Sequence, residues 1–111
     1  KQYLGRMDRQ VFGKAEVESA REVHEAHGTS ELSTVCRRYL VEHGSPDASL
    51  ASLFLDADAT DVQRAGLEAL ARQREAGALS LSPGMRTQLR ILAQSSDDDV
   101  AYAAEELLAA L

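Results

Sequence analysis

The chain contains few of the residues from which β-sheets are usually built. Its 111 residues include no Trp, two Phe and three Tyr, and Val and Ile together number eight. Ala and Leu, in contrast, number 18 and 15. Because Ala and Leu favour helices whereas β-branched and aromatic residues favour strands, this composition argues against an all-β fold and predicts an all-α one.

Membrane spans, disulfides and an excess of positive charge are also missing. The longest apolar runs, 100–104 and 107–111, are five residues each, too short to cross a bilayer. Cys36 is the single cysteine, which excludes an internal disulfide and favours the cytoplasm. The net charge is −6, and residues 45–111 carry five basic against eleven acidic side chains. Because nucleic acid attracts basic surfaces, this charge disfavours it as a partner.

Capping residues mark the expected helix boundaries. Gly28, Gly44 and Gly77 each end a helix-like run, and Ser45-Pro46 and Ser82-Pro83 each place a capping hydroxyl before a first-turn proline. The acidic run 97–99 precedes the last apolar segment, where carboxylates can cap free N–H groups. These signals predict six helices, at 15–27, 30–43, 47–55, 60–76, 83–94 and 98–111.

The first residues are harder to assign from the sequence. Tyr3, Leu4, Met7 and Val11 have helical spacing, but glycines at positions 5 and 13 interrupt the run. We therefore expect residues 1–14 to form a short helix or a linker. Residues 15–111 are expected to form a single domain.

Every second predicted helix carries the same small or apolar stripe, with the spacing i, i+3, i+4, i+7, i+8 and i+11. The members are Leu32, Val35, Cys36, Tyr39, Leu40 and His43; Val62, Ala65, Gly66, Ala69, Leu70 and Gln73; and Val100, Ala103, Ala104, Leu107, Leu108 and Leu111. The stripes start 30 and 38 residues apart, which is in the range of helical-hairpin repeats. The small inner residues predict close approach of neighbouring helices.

The segments 61–70 and 99–108 resemble the second helix of HEAT-type repeats. Both begin Asp-Val and continue with an Ala three residues after the Val, as that family's pattern does, although Gln63 and Ala101 stand where it has Arg. The resemblance covers residues 47–111 and, weakly, 15–43. It implies a short right-handed α-solenoid of two to three antiparallel helix hairpins that binds a protein or peptide along its second helices. A compact six-helix bundle is the alternative architecture.

Three groups of residues invite a chemical interpretation, and each has a simpler structural one. His24 and His27 do not fit the spacing of known zinc or di-iron motifs and are interpreted as helix-end residues. Residues 56–61 begin like a calcium loop but lack its Gly and Glu, so they are interpreted as a turn. Cys36 lies on a buried stripe, where a cysteine acts as a small hydrophobe. We therefore predict no catalytic residue, metal or cofactor.

The candidate binding surface lies on the outward-facing positions of the second helices. Arg64, Leu67 and Tyr102 are predicted to form its centre, with Arg37 and Glu105 at its rim, because Tyr and Arg are favoured interface anchors. The alternative is that Leu67 and Tyr102 pack on the first helices or on an adjoining repeat. The second functional hypothesis, a nucleic-acid-binding helical domain, depends on a basic surface formed by Arg37, Arg38, Arg64, Arg72 and Arg74.

Overall fold

The computed structural model describes residues 15–79 and 81–110, in which the regular structure is six α-helices and no strand, as predicted. The prediction for residues 1–14 lies outside the described residues. No described helix combines the length and apolar character needed to cross a membrane. The helices are α1 (15–26), α2 (Leu32–His43), α3 (Ala48–Phe54), α4 (Thr60–Glu75), α5 (Pro83–Leu92) and α6 (Asp98–Ala109).

Most of the predicted helix ends are confirmed. Gly28, Gly44 and Gly77 all have positive φ, a conformation that side-chain-bearing residues rarely adopt. The Ser82 hydroxyl accepts a hydrogen bond from Met85 N at the start of α5. The prediction for Ser45-Pro46 is wrong. Asp47 caps α3 instead, and its carboxylate accepts a hydrogen bond from Leu50 N at 2.9 Å.

Helix α4 lies at the centre of the packing. It contacts α3, which precedes it, and α6, the second helix of the following pair, and it also contacts α2. Helix α5 packs against α6 and reaches α3 through Gln88, whose Nε2 donates to Ser52 O at 2.9 Å. Hydrogen bonds from Ser19 and Tyr39 join α1 to α2. The helices α2, α4 and α6, which are the second helices of the three pairs, therefore lie side by side.

The buried side chains form two clusters that share α3 and α4. The N-terminal cluster comprises Val23, Ala26, Leu32, Cys36, Tyr39, Leu50, Phe54, Ala57 and Val62. The C-terminal cluster comprises Ala51, Leu55, Leu67, Ala69, Leu70, Leu89, Leu92, Val100, Ala104 and Leu107. Helices α3 and α4 contribute to both clusters and so connect the two halves of the molecule.

The predicted stripes are confirmed as the core-facing sides of α2, α4 and α6, apart from Leu111, which lies outside the described residues. In each helix the positions i, i+4 and i+7 are buried, and position i+3 is half-buried. Position i+8 differs between the helices, because Leu70 is fully buried whereas Leu40 and Leu108 are half-buried. Of the helices α2, α4 and α6, the central α4 contacts both of the others. Within the described residues, α6 contacts α4 but has no equivalent neighbour on its other side.

Gly66 shows why the stripe contains small residues. A Cβ atom at this position would lie 3.0 Å from Phe54 Cβ and 3.1 Å from Ala51 O. The close approach of α3 to α4 therefore depends on the missing side chain. The corresponding residue of α6 is Ala104, which is fully buried.

Candidate functional site

An open groove of about 270 Å³ runs between α4 and α6, on the surface formed by the second helices. Apolar side chains and charged side chains both line it. They are Leu67, Glu68, Ala71, Arg74 and Glu75 from α4, and Tyr102, Ala103, Glu106 and Leu107 from α6. Its position agrees with the surface predicted from the sequence, although its residues agree only in part.

Tyr102 and Leu67, the two apolar residues of the predicted centre, both line this groove but play different parts. Tyr102 is 65% exposed and stands at the edge of the groove. Leu67 is only 1% exposed and belongs to the C-terminal cluster together with Leu107. The expectation that Leu67 is an exposed anchor is therefore wrong, and this side chain forms the floor of the groove.

The burial of Leu67 follows from its position on α4. It is five residues after Val62, on the side of α4 that faces α6. The equivalent residue of α2 is Arg37, which faces α4 and forms an ion pair with Asp61 there. The equivalent residue of α6 is Glu105, which is exposed. In α2 and α4, position i+5 thus faces α4 and α6, respectively. The residue there is buried when the facing helix packs apolar side chains against it, as α6 does against Leu67.

The predicted arginines are engaged by carboxylates. Arg37 Nε and Nη2 each donate to an Asp61 carboxylate oxygen at 2.9 Å, and this arginine holds the pKa of Asp61 below its ordinary value. Arg64 Nη1 lies 3.9 Å from Asp99, and its buried Nε has no hydrogen-bond partner within the described residues. Arg37, Arg64 and Glu105 do not line the groove. The structure thus gathers only Leu67 and Tyr102 of the five predicted residues.

Sequence reasoning missed most of the charged lining. Arg74 Nη1 donates to the carbonyl oxygen of Glu106 at 3.4 Å and so links α4 to α6. The Glu106 side chain, one helical turn after Tyr102, also raises the pKa of the Tyr102 hydroxyl. The part of this lining that lies on α4 could have been found from the sequence, because positions 67, 71, 74 and 75 repeat at helical intervals beside the first stripe.

A shallower cavity of about 180 Å³ lies on the other side of α4. Leu40 and Gly44 contribute to it from the α2 side, and Ala65, Glu68 and Arg72 from α4. Glu68 lines both cavities. The surface of the second helices is therefore grooved on both sides of α4, and only the groove on the α6 side has an exposed aromatic ring.

Two of the residues considered for metal binding, His27 and Asp56, contact each other. His27 Nε2 lies 2.6 Å from Asp56 Oδ2, and Asp56 Oδ1 accepts a hydrogen bond from Gln88 Nε2 at 2.9 Å. These contacts link the turns and helices on the side opposite the second helices. Over residues 15–79 and 81–110, no group of three or more His, Cys, Asp or Glu side chains could hold a metal ion.

Two further groups bear on catalysis. Burial raises the pKa of the Cys36 thiol to about 11, which suppresses the reactive thiolate. Ser19 Oγ lies 2.8 Å from His43 Nε2, and the Glu42 carboxylate lies 3.7 Å from that same nitrogen. A catalytic triad needs the carboxylate on the other ring nitrogen, where it orients the imidazole. This group therefore has the geometry of a hydrogen-bonded contact between α1 and α2.

No protein-family model, curated protein or solved structure matches the chain. The candidate site is therefore defined by the chain's own geometry.

Proposed function

We propose that this protein is a non-enzymatic interaction module that binds a protein or peptide in the groove between α4 and α6. The observation that carries the proposal is the exposed ring of Tyr102 beside an apolar floor that contains Leu67 and Leu107. A tyrosine in this setting offers a large contact area and a hydroxyl for hydrogen bonding.

The shape of the groove favours a peptide over an enclosed small ligand. It is open to solvent along two helices, and its floor includes the small residues Ala71 and Ala103, which leave room for an incoming side chain. At about 270 Å³ it is smaller than the cavities that usually bury small molecules. An apolar side chain of a bound segment can enter while the rest of the segment stays at the surface.

We further propose that the helices form a short, right-handed HEAT-like solenoid. The side-by-side packing of α4 and α6 supports this arrangement, as does the link between α3 and α5 through Gln88. A recurring contact between units also supports it. Asp61 and Asp99, at the start of α4 and α6, each lie near an arginine of the preceding second helix, Arg37 and Arg64.

The charges weigh against nucleic acid as the partner. Arg37 and Arg38, the adjacent basic pair of α2, form ion pairs with Asp61 and Glu22. Three glutamates and one arginine line the groove. Because phosphate binding needs unpaired basic side chains, this surface favours a protein partner. We place the module in the cytoplasm because its single cysteine suits a reducing compartment.

Selection from a library of random peptides displayed on phage tests the proposed function. Tyr102→Ser removes the exposed ring, and Ile91→Ser is the matched control because Ile91 is 67% exposed and lies outside the groove. Both variants should keep the wild-type melting temperature, since neither side chain is part of the core. Peptides selected on the wild-type protein should bind Ile91→Ser normally and bind Tyr102→Ser at least about tenfold more weakly. Selected peptides that bind all three proteins equally would place the site elsewhere.

A further inference from the structure

The charge around the groove indicates what kind of peptide it can hold. Glu68, Glu75 and Glu106 line it, and all three are exposed. Within the described part of the chain, none of their carboxylates lies within 4.0 Å of a basic nitrogen. The apolar floor is therefore bordered by carboxylates that are open to an incoming cation.

Arg74, the one basic side chain of the lining, does not neutralise this border. Its guanidinium donates to the backbone carbonyl of Glu106 near the C-terminal end of α6. That carbonyl also accepts a hydrogen bond from Ala110 N, and within the described residues the Arg74 guanidinium forms no ion pair with a glutamate side chain of the lining. The lining thus keeps an excess of negative charge facing solvent.

We propose that the partner is a basic peptide segment, in which Lys or Arg residues flank an apolar side chain that enters the groove beside Tyr102. This inference rests on the proposed function and adds the chemical class of the partner. The apolar side chain contacts the floor formed by Leu67, Ala71 and Leu107, and the basic residues face the three glutamates. Complementary charge of this kind speeds association and selects against acidic segments.

A second copy of the chain fits the same groove poorly. Two copies placed groove to groove would bring the same three glutamates together, and like charges that face each other at an interface destabilise it. The neighbouring surface adds to the repulsion, because Asp98, Asp99 and Glu105 are also exposed on α6. A basic partner meets no such repulsion.

Three synthetic helical peptides test the inference by fluorescence anisotropy. They share one stripe of Leu and Ala and differ only in the flanking residues, which are Lys, Gln or Glu. The protein should bind the Lys peptide about tenfold more tightly than the Gln peptide, and the Glu peptide most weakly. The preference should shrink as salt is raised from about 50 mM to about 500 mM, because salt screens exposed charges.

Two triple variants assign the preference to the groove. Glu68→Gln, Glu75→Gln and Glu106→Gln together should abolish the preference for Lys, so that the Lys, Gln and Glu peptides bind with similar affinity. The control carries Glu18→Gln, Glu25→Gln and Asp58→Asn, which change exposed residues outside the groove and alter the net charge equally. The control should bind all three peptides as the wild-type protein does.

The remaining outcomes separate this inference from the proposed function. If the peptides bind equally well, or the Glu peptide binds best, and binding still depends on Tyr102, the inference is overturned and the proposed function stands. A preference for Lys that survives in the groove variant also overturns the inference, since other charges would then cause it. If no peptide shows binding that depends on Tyr102, the proposed function fails as well.

Discussion

The two core clusters differ in composition and in how their edges are closed. The N-terminal cluster contains aromatic rings, and those of Tyr39 and Phe54 pack edge to face with their centroids 6.1 Å apart. The C-terminal cluster consists of Ala, Leu and Val. Ion pairs between helices border the N-terminal cluster, among them the bidentate pair of Arg37 with Asp61. On the C-terminal side, Arg64 lies 3.9 Å from Asp99, and the groove beyond it stays open.

Helices with the same buried stripe thus form two different kinds of interface. Helices α2, α4 and α6 bury the same positions, so the stripe determines which side of each helix faces the core. The neighbouring positions determine what forms between the helices. Arg37 makes a charged contact between α2 and α4, whereas Leu67 and Ala71 leave an apolar groove between α4 and α6. The α2–α4 interface thus combines an ion pair with a cavity of about 180 Å³, whereas the α4–α6 interface has the groove of about 270 Å³ beside the exposed Tyr102 ring.

The largest expected effect concerns position i+8 of the stripe, which is Leu70 in the central helix α4 and Leu108 in α6. Leu70→Ala should lower the free energy of unfolding by about 2–5 kcal/mol, because it leaves a cavity in a fully buried site. Leu108→Ala should cost only about 1 kcal/mol, because that side chain is already half in solvent. Urea denaturation measures both values. Equal losses would contradict the view that α4, with neighbours on both sides, is the more buried helix.

A smaller effect concerns the close approach of α3 to α4. Replacing Gly by Ala within a helix usually gains about 1 kcal/mol of helix propensity. Gly84→Ala, at the second residue of α5, should keep or slightly raise the stability, because its new Cβ would meet only Ser82 Oγ at 3.8 Å. Gly66→Ala should instead destabilise the fold, because its Cβ would press on the α3 backbone and on Phe54.

Thermal denaturation of the two glycine variants measures this difference. The melting temperature of Gly66→Ala should fall below that of the wild-type protein, while that of Gly84→Ala should stay equal to it or rise. A stabilised Gly66→Ala variant would mean that α3 and α4 can move apart at little cost.

The smallest expected effect concerns the ion pairs at the two interfaces between second helices. Arg37 lowers the pKa of Asp61 below its ordinary value of 3.8, so the folded state favours the charged carboxylate. That stabilisation is fully present above the ordinary value and is lost as the pH falls through the lowered pKa. Asp61→Asn should therefore lower the melting temperature slightly at neutral pH. The difference from the wild-type protein should vanish in acid.

Asp99→Asn is the matched comparison for Asp61→Asn. The Asp99 side chain is 75% exposed and lies farther from its arginine, so its replacement should change the melting temperature less. A larger change for Asp99→Asn, or a difference for Asp61→Asn that persists at the lowest pH, would contradict this account of the two interfaces.

The sequence was sufficient to predict the helices and their core-facing sides. Helix ends depend on local chemistry, such as the positive φ of Gly28 and the cap formed by Ser82, and both can be read from a few neighbouring residues. The burial of Val62 and Val100 follows from the 3.6-residue period. The place of Cys36 in the core was predictable for the same reason.

The candidate site was only partly predictable, because it depends on which helices become neighbours. A single stripe describes a helix with one buried side, but α4 packs on α3 and α6 and buries a wider arc that includes Leu67. The pairing of Arg37 with Asp61 also joins residues whose proximity is not apparent from their spacing. Glu106 became a candidate only when the groove brought α4 and α6 together.

The central claim, that the C-terminal region carries the binding surface, is tested most directly by mapping where a bound peptide contacts the protein. Titration of the Lys peptide into ¹⁵N-labelled protein, followed by amide chemical shifts, compares the two regions in one experiment. The account predicts that the shifts concentrate at 67–75 and 102–107, and that they disappear in Tyr102→Ser. Shifts concentrated in α1 and α2, with the amides of α4 and α6 unchanged, would contradict it.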